Sequence, residues 1–156
     1  MATYSFKSVG KTQDQIISEV LATSAIPFGI KTPLELGSKS EGIFAMNYSI
    51  EDQMADNLRN LLLTNWGERL GLYDFGANLK PLTTDLVSQD DFDTQAITRI
   101  RDAVGRWMPY IELETFSSQI DNLENKNTGV IRVNIKYNVP SFGAFGKGLQ
   151  IVLYVI

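Results

Sequence analysis

The sequence predicts an α+β fold: a small, mainly antiparallel sheet with two main helices packed on it and an N-terminal arm. Apolar residues recur at helical spacing in two stretches of the first two thirds of the chain, and they alternate with a period of two in the last third. Helices that precede a group of strands are typical of α+β proteins. A chain of 156 residues can bury a core without disulfides or metals, so we expect one main domain.

The first 42 residues are predicted to form the arm, and residues 43–156 the domain. Within the arm, Thr12–Leu21 has the apolar spacing of a short helix. Phe28–Leu36 alternates between apolar and polar positions, which indicates an extended segment. Because Pro33 cannot donate a hydrogen bond to a neighbouring strand, we expect this segment at the edge of a sheet.

Two long helices are predicted in the domain. Ser49 stands three residues before Asp52, the spacing of a capping box, and apolar residues then follow at helical period from Ile50 to about Thr64. The second helix runs from Phe92 to Trp107, after acidic capping residues, and a proline ends it two residues later. Leu79–Leu86, between them, is expected to be a short helical or irregular piece interrupted by its proline.

The last third of the chain is predicted to form strands. Ile111–Thr115 and Val130–Tyr137 alternate at a period of two around the polar turn Asn122–Gly129, which indicates a hairpin or neighbouring strands. A glycine-rich loop is expected over Pro140–Gly148, followed by an apolar strand, Leu149–Ile156. A strand this apolar must be paired or covered, and both an interior place and an edge open to a partner's strand fit its sequence.

The amino-acid composition limits the kinds of catalytic and metal-binding site that the chain can form. The chain has no cysteine and no histidine, which excludes thiol nucleophiles, disulfides, histidine-dependent triads and nearly every zinc or haem site, so we expect no cofactor and no metal. Its formal charge of −4, without a run of lysine or arginine, disfavours nucleic acid as a partner. Neither a signal peptide nor an apolar run of bilayer length is evident, so we expect an unanchored protein without membrane insertion, whose partners are proteins.

The turn after the first long helix carries the pattern that is most informative about function. Leu62, Leu63 and Thr64 end the helix, and the turn then contains Gly67, Glu68, Arg69, Asp74, Phe75 and Gly76. This run resembles the baseplate wedge family of contractile injection machines, whose members include the sheath-nucleating wedge protein of contractile-tailed phages, gene product twenty-five, and the related type VI secretion baseplate subunit. The resemblance covers roughly Ile50–Ile156.

The chain departs from the family's pattern at two places. The family's second helix ends in a proline flanked by glutamate and arginine, whereas Met108 and Tyr110 flank Pro109 here. Tyr73 also stands where the family tends to have a proline. The charged contact usually assigned to the triplet cannot form, so we hypothesise an apolar contact with a partner at the end of this helix, around Trp107.

The resemblance implies a structural baseplate wedge subunit of a contractile tail and no enzyme. It implies that the protein binds wedge scaffolding subunits through its helices and arm, nucleates the tail sheath through its sheet, and is present in multiple copies in a ring. The expected location is the virion, in the tail baseplate, after assembly in the host cytoplasm. The predicted partner-binding residues are Gly67, Glu68, Arg69, Asp74, Phe75, Gly76, Arg106, Trp107, Met108, Pro109, Tyr110, Phe142, Phe145, Leu149, Ile151, Leu153 and Val155.

Several of these residues also have a structural interpretation that needs no partner. These interpretations are a helix cap at Gly67, an ion pair of Glu68 or Arg69 that pins the turn, a helix cap at Asp74, a core contact for Phe75, and a solvated helix face for Arg99 and Arg106.

Two other functions remain open. Relatives of the family have been labelled lysozyme-like, and glycoside cleavage needs only two carboxyl groups, for which Glu68 and Asp74 are the candidates in a carboxylate-dependent peptidoglycan hydrolase. The other is a protein-binding adaptor that is unrelated to tails.

Overall fold

The computed structural model of the protein describes residues 12–14, 26–38, 42–84, 88–122 and 129–155. It confirms the α+β class, with helices and two antiparallel sheets. The chain divides into two compact units, Met1–Gln53 and Met54–Ile156. All of the predicted helix Thr12–Leu21 except its first three residues lies outside the described ranges. The predicted boundary after residue 42 stays a prediction.

The described part of the first unit contains two short antiparallel strands. Strand β1, Gly29–Ile30, pairs with strand β2, Met46–Asn47, and an isolated bridge joins Leu36 to Phe44 further along. The predicted extended segment Phe28–Leu36 therefore includes β1 and one partner of the bridge. Large apolar side chains are exposed throughout this described part, namely Ile26, Phe28, Ile30, Leu34, Leu36, Ile43, Phe44 and Tyr48.

Three helices lie within residues 42–84 and 88–122. Helix α1 spans Ile50–Leu63, α2 spans Lys80–Thr84, and α3 spans Gln89–Trp107. The hydroxyl of Ser49 accepts a hydrogen bond from the Glu51 backbone N–H at 3.2 Å, at the start of α1. The proline expected to interrupt the piece before α3 lies in the first turn of α2, where a missing N–H costs nothing.

Helix α3 begins three residues before the predicted start, because its cap is Ser88. The Ser88 hydroxyl accepts a hydrogen bond from the backbone N–H of Asp91 at 3.2 Å, and acidic residues occupy the first turn. The helix ends at Trp107, as predicted, and Met108 is its C-cap residue. The helix therefore has a defined cap residue at each end, Ser88 before it and Met108 after it.

A three-stranded antiparallel sheet follows α3, in the order β3, β4, β5. Strand β3 spans Glu112–Asn122, β4 spans Gly129–Val139, and β5 spans Ala144–Val155. Within the described residues β5 has a strand neighbour on one side only, so it is an edge strand. This observation decides between the two places that the sequence left open for the terminal strand.

The predicted glycine-rich loop Pro140–Gly148 is wrong over its second half. A short 3-10 helix, Pro140–Phe142, and Gly143, with a φ of +67°, complete the turn, and β5 already begins at Ala144. Glycine usually signals a loop, but β4 pairs with most of this stretch, with Gly148 opposite Lys136. Gly146 keeps a left-handed φ of +62° at a shift in the register.

One hydrophobic core joins the inner face of the sheet to the helices. Leu58, Leu61 and Leu62 of α1 and Ile100 and Val104 of α3 are buried in it. The strands contribute the inward-facing residues Ile131, Val133, Ile135, Tyr137, Leu149, Ile151 and Leu153. The two long helices thus cover one face of the sheet, as the sequence predicts.

Candidate functional site

The turn between α1 and α2, residues 64–79, is called the corner. It folds back on the last turn of α1, because the backbone N–H groups of Ala77 and Asn78 donate to the carbonyls of Leu61 and Thr64 at 3.0 and 3.3 Å. These bonds satisfy carbonyls that a helix end leaves without a partner. The helix cap predicted for Gly67 is therefore made by Ala77 and Asn78.

Gly67 has a different duty. Its φ of +85° is left-handed, and its N–H donates to the carbonyl of Tyr73 at 2.7 Å, which closes the outer loop of the corner. Gly76, with a φ of +113°, lies where a Cβ atom would be 2.1 Å from the Thr64 carbonyl oxygen. The Trp66 indole N–H donates to the Gly76 carbonyl at 3.1 Å. The two glycines thus let the corner close against itself and against α1.

Glu68 is held by hydrogen bonds rather than by an ion pair with a neighbouring element. Its carboxylate accepts from the backbone N–H of Asn65 at 2.7 Å and from the Asn65 side-chain amide at 2.9 Å. The side-chain oxygen of Asn65 accepts in turn from the Lys80 backbone N–H at 3.1 Å. The chain of bonds ties the corner to the start of α2, and the bonds from Asn65, the backbone one first, lower the pKa of Glu68 from its ordinary value.

A group of stacked side chains connects the corner to the end of α3. The guanidinium carbon of Arg69 lies 4.3 Å from the centre of the Phe75 ring, and that ring meets Trp107 edge to face with centres 5.3 Å apart. Arg106 lies over Trp107 at 5.1 Å and forms an ion pair with Asp74. In these five residues, called the stacked cluster, the two aromatic rings contact each other, an arginine lies over each ring, and Asp74 pairs with one arginine. Each of these neighbouring contacts is favourable.

The stacked cluster and its surroundings correct two structural interpretations and confirm a third. Asp74 does not cap a helix, since its carboxylate pairs with Arg106 and Asn65 caps α2 instead. Arg99 does not lie on a solvated face, because it donates to the Asn78 carbonyl at 2.5 Å and is partly buried. Phe75 does pack against the core, as predicted.

The end of α3 divides into a buried and an exposed part. Met108 is 5% exposed, so its own side chain offers no surface to the apolar contact hypothesised at the end of this helix. The contact itself stays a prediction. The chain turns here, with the Ile111 N–H donating to the Met108 carbonyl at 3.0 Å, and the turn directs the methionine into the core. Pro109 and Tyr110 remain exposed, and partial burial raises the pKa of the Tyr110 hydroxyl above its ordinary value.

The predicted partner residues of the last two strands also separate by burial. Phe142 and Phe145 are exposed, although Phe145 belongs to β5 and not to a loop. The side chains of Leu149, Ile151 and Leu153 are buried in the core, so these residues can offer a partner only their backbone. The side chain of Val155 lies outside the described ones.

Sequence reasoning missed the exposed apolar residues of the corner itself. They are Trp66, Leu70, Leu72 and Tyr73, and Leu70 is 93% exposed. The signal was present, because large apolar residues in a glycine-containing turn have little chance of burial, the same argument that singled out Phe142 and Phe145.

A groove lies beside the last residues of β5. It has a volume of about 240 Å³ and is lined by Leu63 and Lys80 on the helical side and by Val152 and Tyr154 on the strand. In the ranges that the structure describes, no helix is both long and apolar enough to span a bilayer, and acidic side chains do not gather in groups of three that could hold a metal ion.

The family described as "Baseplate wedge protein gp25" matches residues 48–141, which is more than half of the chain. The matched range includes the corner, the stacked cluster, the exposed end of α3 and strand β4, which precedes Phe142. No curated protein matches the chain in sequence.

Two solved structures are similar to the chain. A chain in the cryo-EM structure of the anti-feeding prophage (AFP) baseplate, 6-fold symmetrised, superimposes with a TM-score of 0.57 at 18% identity, covering 79% of this chain and 90% of that one. A putative tail lysozyme from Geobacter sulfurreducens, solved by crystallography, gives a TM-score of 0.49 at 24% identity, covering 68% and 89%. The similarity to the chain of the anti-feeding prophage baseplate supports the α+β fold described above.

The family match contradicts the alternative of an adaptor unrelated to tails, because the matched residues include the corner and both long helices. It confirms the family resemblance over residues 48–141, whereas the resemblance inferred from the sequence ran on to Ile156 and so included β5. The chain therefore belongs to the baseplate wedge protein gp25 family and is a structural component of the baseplate of a contractile tail.

Proposed function

We propose that the protein binds the scaffolding subunits of the baseplate wedge through the corner and the exposed end of α3, and that the edge of β5 accepts a strand of the tail sheath protein. The first ring of sheath would then start on this strand. The observation that carries the proposal is the edge position of β5. An edge strand presents a row of backbone donors and acceptors to which another chain can add a strand.

The side chains of β5 suit such an addition. Leu149, Ile151 and Leu153 are buried in the core, which holds this part of the strand in place. Val152 and Tyr154 face outward beside the groove next to α2. An added strand would therefore find a fixed edge and a recess for one of its own side chains, and recesses of this kind supply specificity in strand addition.

The corner suits contact with a rigid partner. Its backbone is closed by the bonds of Gly67, Ala77 and Asn78, and the stacked cluster joins it to α3. Rigid elements lose little conformational entropy on binding. Exposed Leu70 and Tyr73 supply apolar area, which is enriched at the centre of protein interfaces.

We also propose that several copies form a ring and that none catalyses a reaction. The similar chain belongs to a baseplate described as 6-fold symmetrised, which favours a ring. A glycoside hydrolase needs one carboxyl group that stays protonated. The lowered pKa of Glu68 favours its charged form, and the carboxylate of Asp74 is engaged in an ion pair with Arg106. Both observations support a structural role.

The strand addition is tested by charging the outer face of β5. Val152→Lys together with Tyr154→Lys should delay the polymerisation of purified sheath protein, because lysine on an edge strand disfavours the approach of another strand. The matched control is Ser117→Lys, an exposed position on the same face of the opposite edge strand, β3. Light scattering and electron microscopy measure the lag and the sheath ends.

The control should start sheath as quickly as the unchanged protein. Equal lag times for the β5 double variant and the unchanged protein, with both folded by circular dichroism, would contradict sheath docking at β5. A delay caused by Ser117→Lys alone would move the docking edge to β3.

A further inference from the structure

Arg69 combines an aromatic contact with the lack of an ion-pair partner among the described residues. Its guanidinium carbon lies over the Phe75 ring at 4.3 Å, and that ring in turn contacts Trp107. In contrast, Arg59, Arg106 and Arg132 form ion pairs, Arg99 donates to a carbonyl, and Arg101 lies over no aromatic ring of the described part of the chain. Within the described residues, no carboxylate pairs with Arg69, although its side chain is exposed.

Stacking leaves the edge of the guanidinium available. The aromatic ring occupies the face, whereas the five N–H donors point outward in the plane of the group. A stacked arginine is also fixed in orientation, so it loses less side-chain freedom when it binds than a mobile one does. Arg69 is therefore prepared for a planar acceptor with two oxygens, such as a carboxylate.

The surroundings of Arg69 limit the kind of partner. The two nearest acidic residues in the corner are occupied, Glu68 by Asn65 and Asp74 by Arg106. Leu70, the next residue, is 93% exposed, and Tyr73 is exposed as well. The corner thus presents a guanidinium without an ion-pair partner among the described residues, beside apolar surface, on a chain whose formal net charge is −4. The complementary surface carries an acidic side chain among apolar ones.

We propose that Arg69 binds an aspartate or glutamate side chain of a neighbouring baseplate subunit and that apolar side chains of that subunit cover Leu70 and Tyr73. This rests on the proposed function, which brings another subunit to the corner. The carboxylate accepts two parallel N–H bonds from the guanidinium edge. The apolar cover excludes water from these bonds, as the surroundings of a binding hot spot do.

The contact is tested inside assembled baseplates. Particles are purified from cells that produce the complete tail with Arg69→Lys, and a zero-length carbodiimide then joins amines to carboxylates in direct contact. Mass spectrometry should find a link between position 69 and an aspartate or glutamate side chain of another baseplate subunit. The control is Arg101→Lys, an exposed arginine of α3 outside the corner, which should not link to the same residue.

Two results of this experiment overturn the inference. One is a particle that contains the chain but shows no link from position 69 to another subunit, which leaves the proposed function standing. The other is a link to a chain terminus instead of an acidic side chain. If the unchanged chain is absent from purified baseplates, the proposed function fails and the inference fails with it.

Charge reversal supplies a second readout. Arg69→Glu should lower the incorporation of the chain into particles about 10-fold to 100-fold, the range expected for a lost charge-assisted contact that becomes repulsive. Changing the linked acidic residue of the partner to arginine should restore most of the incorporation. Arg101→Glu should change incorporation less than about 3-fold. Normal incorporation of Arg69→Glu, or no rescue by the reversed partner, would refute the contact.

Discussion

Gly76 and Gly67 both have positive φ angles, but a neighbouring atom confines only Gly76. A Cβ atom at Gly76 would lie 2.1 Å from the Thr64 carbonyl oxygen, whereas a Cβ atom at Gly67 would meet nothing within 4 Å. Both positions are strained for any residue with a side chain. Gly76 additionally sets how closely the corner approaches the end of α1.

This difference predicts a matched pair of stabilities. Gly67→Ala should lower the free energy of unfolding by about 1 kcal/mol, the cost of a left-handed backbone for alanine. Gly76→Ala should lower it by at least about 3 kcal/mol, because the backbone must also move away from Thr64. Urea denaturation at neutral pH measures both. Equal losses for the two variants would show that the close approach at Gly76 has no energetic weight.

Glu68 makes the stability of the corner depend on pH. Its pKa in the folded protein lies below the ordinary value of 4.5, so the folded state holds its charged form more strongly than the unfolded state does. The resulting stabilisation is complete above pH 4.5 and is lost as the pH falls through the lowered pKa. Glu68→Gln should therefore be less stable than the unchanged protein at neutral pH, and the difference should shrink in acid.

Urea denaturation between pH 7 and pH 3 measures this difference in the free energy of unfolding. Glu114→Gln, an exposed glutamate of β3, is the control and should run parallel to the unchanged protein. If the difference in the free energy of unfolding between Glu68→Gln and the unchanged protein grows in acid, the lowered pKa of Glu68 is contradicted.

At the scale of elements, α3 holds the corner in place. Its end supplies Arg106 and Trp107 to the stacked cluster, and its middle supplies Arg99, which donates to the Asn78 carbonyl. Asn78 has a positive φ of +51°, an uncommon backbone state for a residue with a side chain. The bond from Arg99 therefore stabilises the uncommon backbone conformation of the corner at Asn78.

Arg99→Met should lower the free energy of unfolding by about 2 kcal/mol, because a charge-assisted bond is lost and a partly buried carbonyl is left without a donor. Methionine keeps most of the packing of the arginine stem. Arg101→Met, two residues away and exposed, should cost less than about 0.5 kcal/mol. Thermal and urea denaturation measure both, and similar losses would contradict a specific role of Arg99.

At the scale of the whole molecule, the protein is a baseplate component and associates with other baseplate proteins. Such components carry surfaces that only the assembly covers. The described part of the first unit fits this, with apolar side chains such as Leu36 and Ile43 exposed. In the second unit, every residue of the buried apolar core lies at Leu58 or later in the chain.

The predicted boundary after residue 42 is tested by deletion. A chain without residues 1–42 should still unfold in one cooperative transition, with a free energy of unfolding within about 1 kcal/mol of the full chain, because it keeps α1, its cap Ser49 and the whole core. The fluorescence of Trp66 and Trp107 reports on the transition. Deleting residues 1–53 removes Ser49 and the first turn of α1 and should cost more. If the chain without residues 1–42 no longer unfolds cooperatively, the predicted boundary after residue 42 is refuted.

The elements that the sequence predicted well depend on neighbours within a few residues. The end of α3 and the capping serine Ser49 follow from local spacing, and so does the corner pattern that revealed the family. The glycines before Leu149 misled because Gly148 is paired with Lys136 of β4, and only Gly146 keeps the left-handed backbone that is typical of a turn. Local patterns report periodicity and capping, and they contain no information about which distant strand lies alongside.

The sequence by itself determined the fold class, the two long helices and the family, because these rest on the order and spacing of residues along the chain. Only the tertiary structure decided that β5 is an edge strand, that Met108 and Leu149 face the core, and that Arg69 lies on Phe75. These features arise when segments far apart in the sequence come into contact. Burial and stacking are properties of those contacts, and hence of the folded chain as a whole.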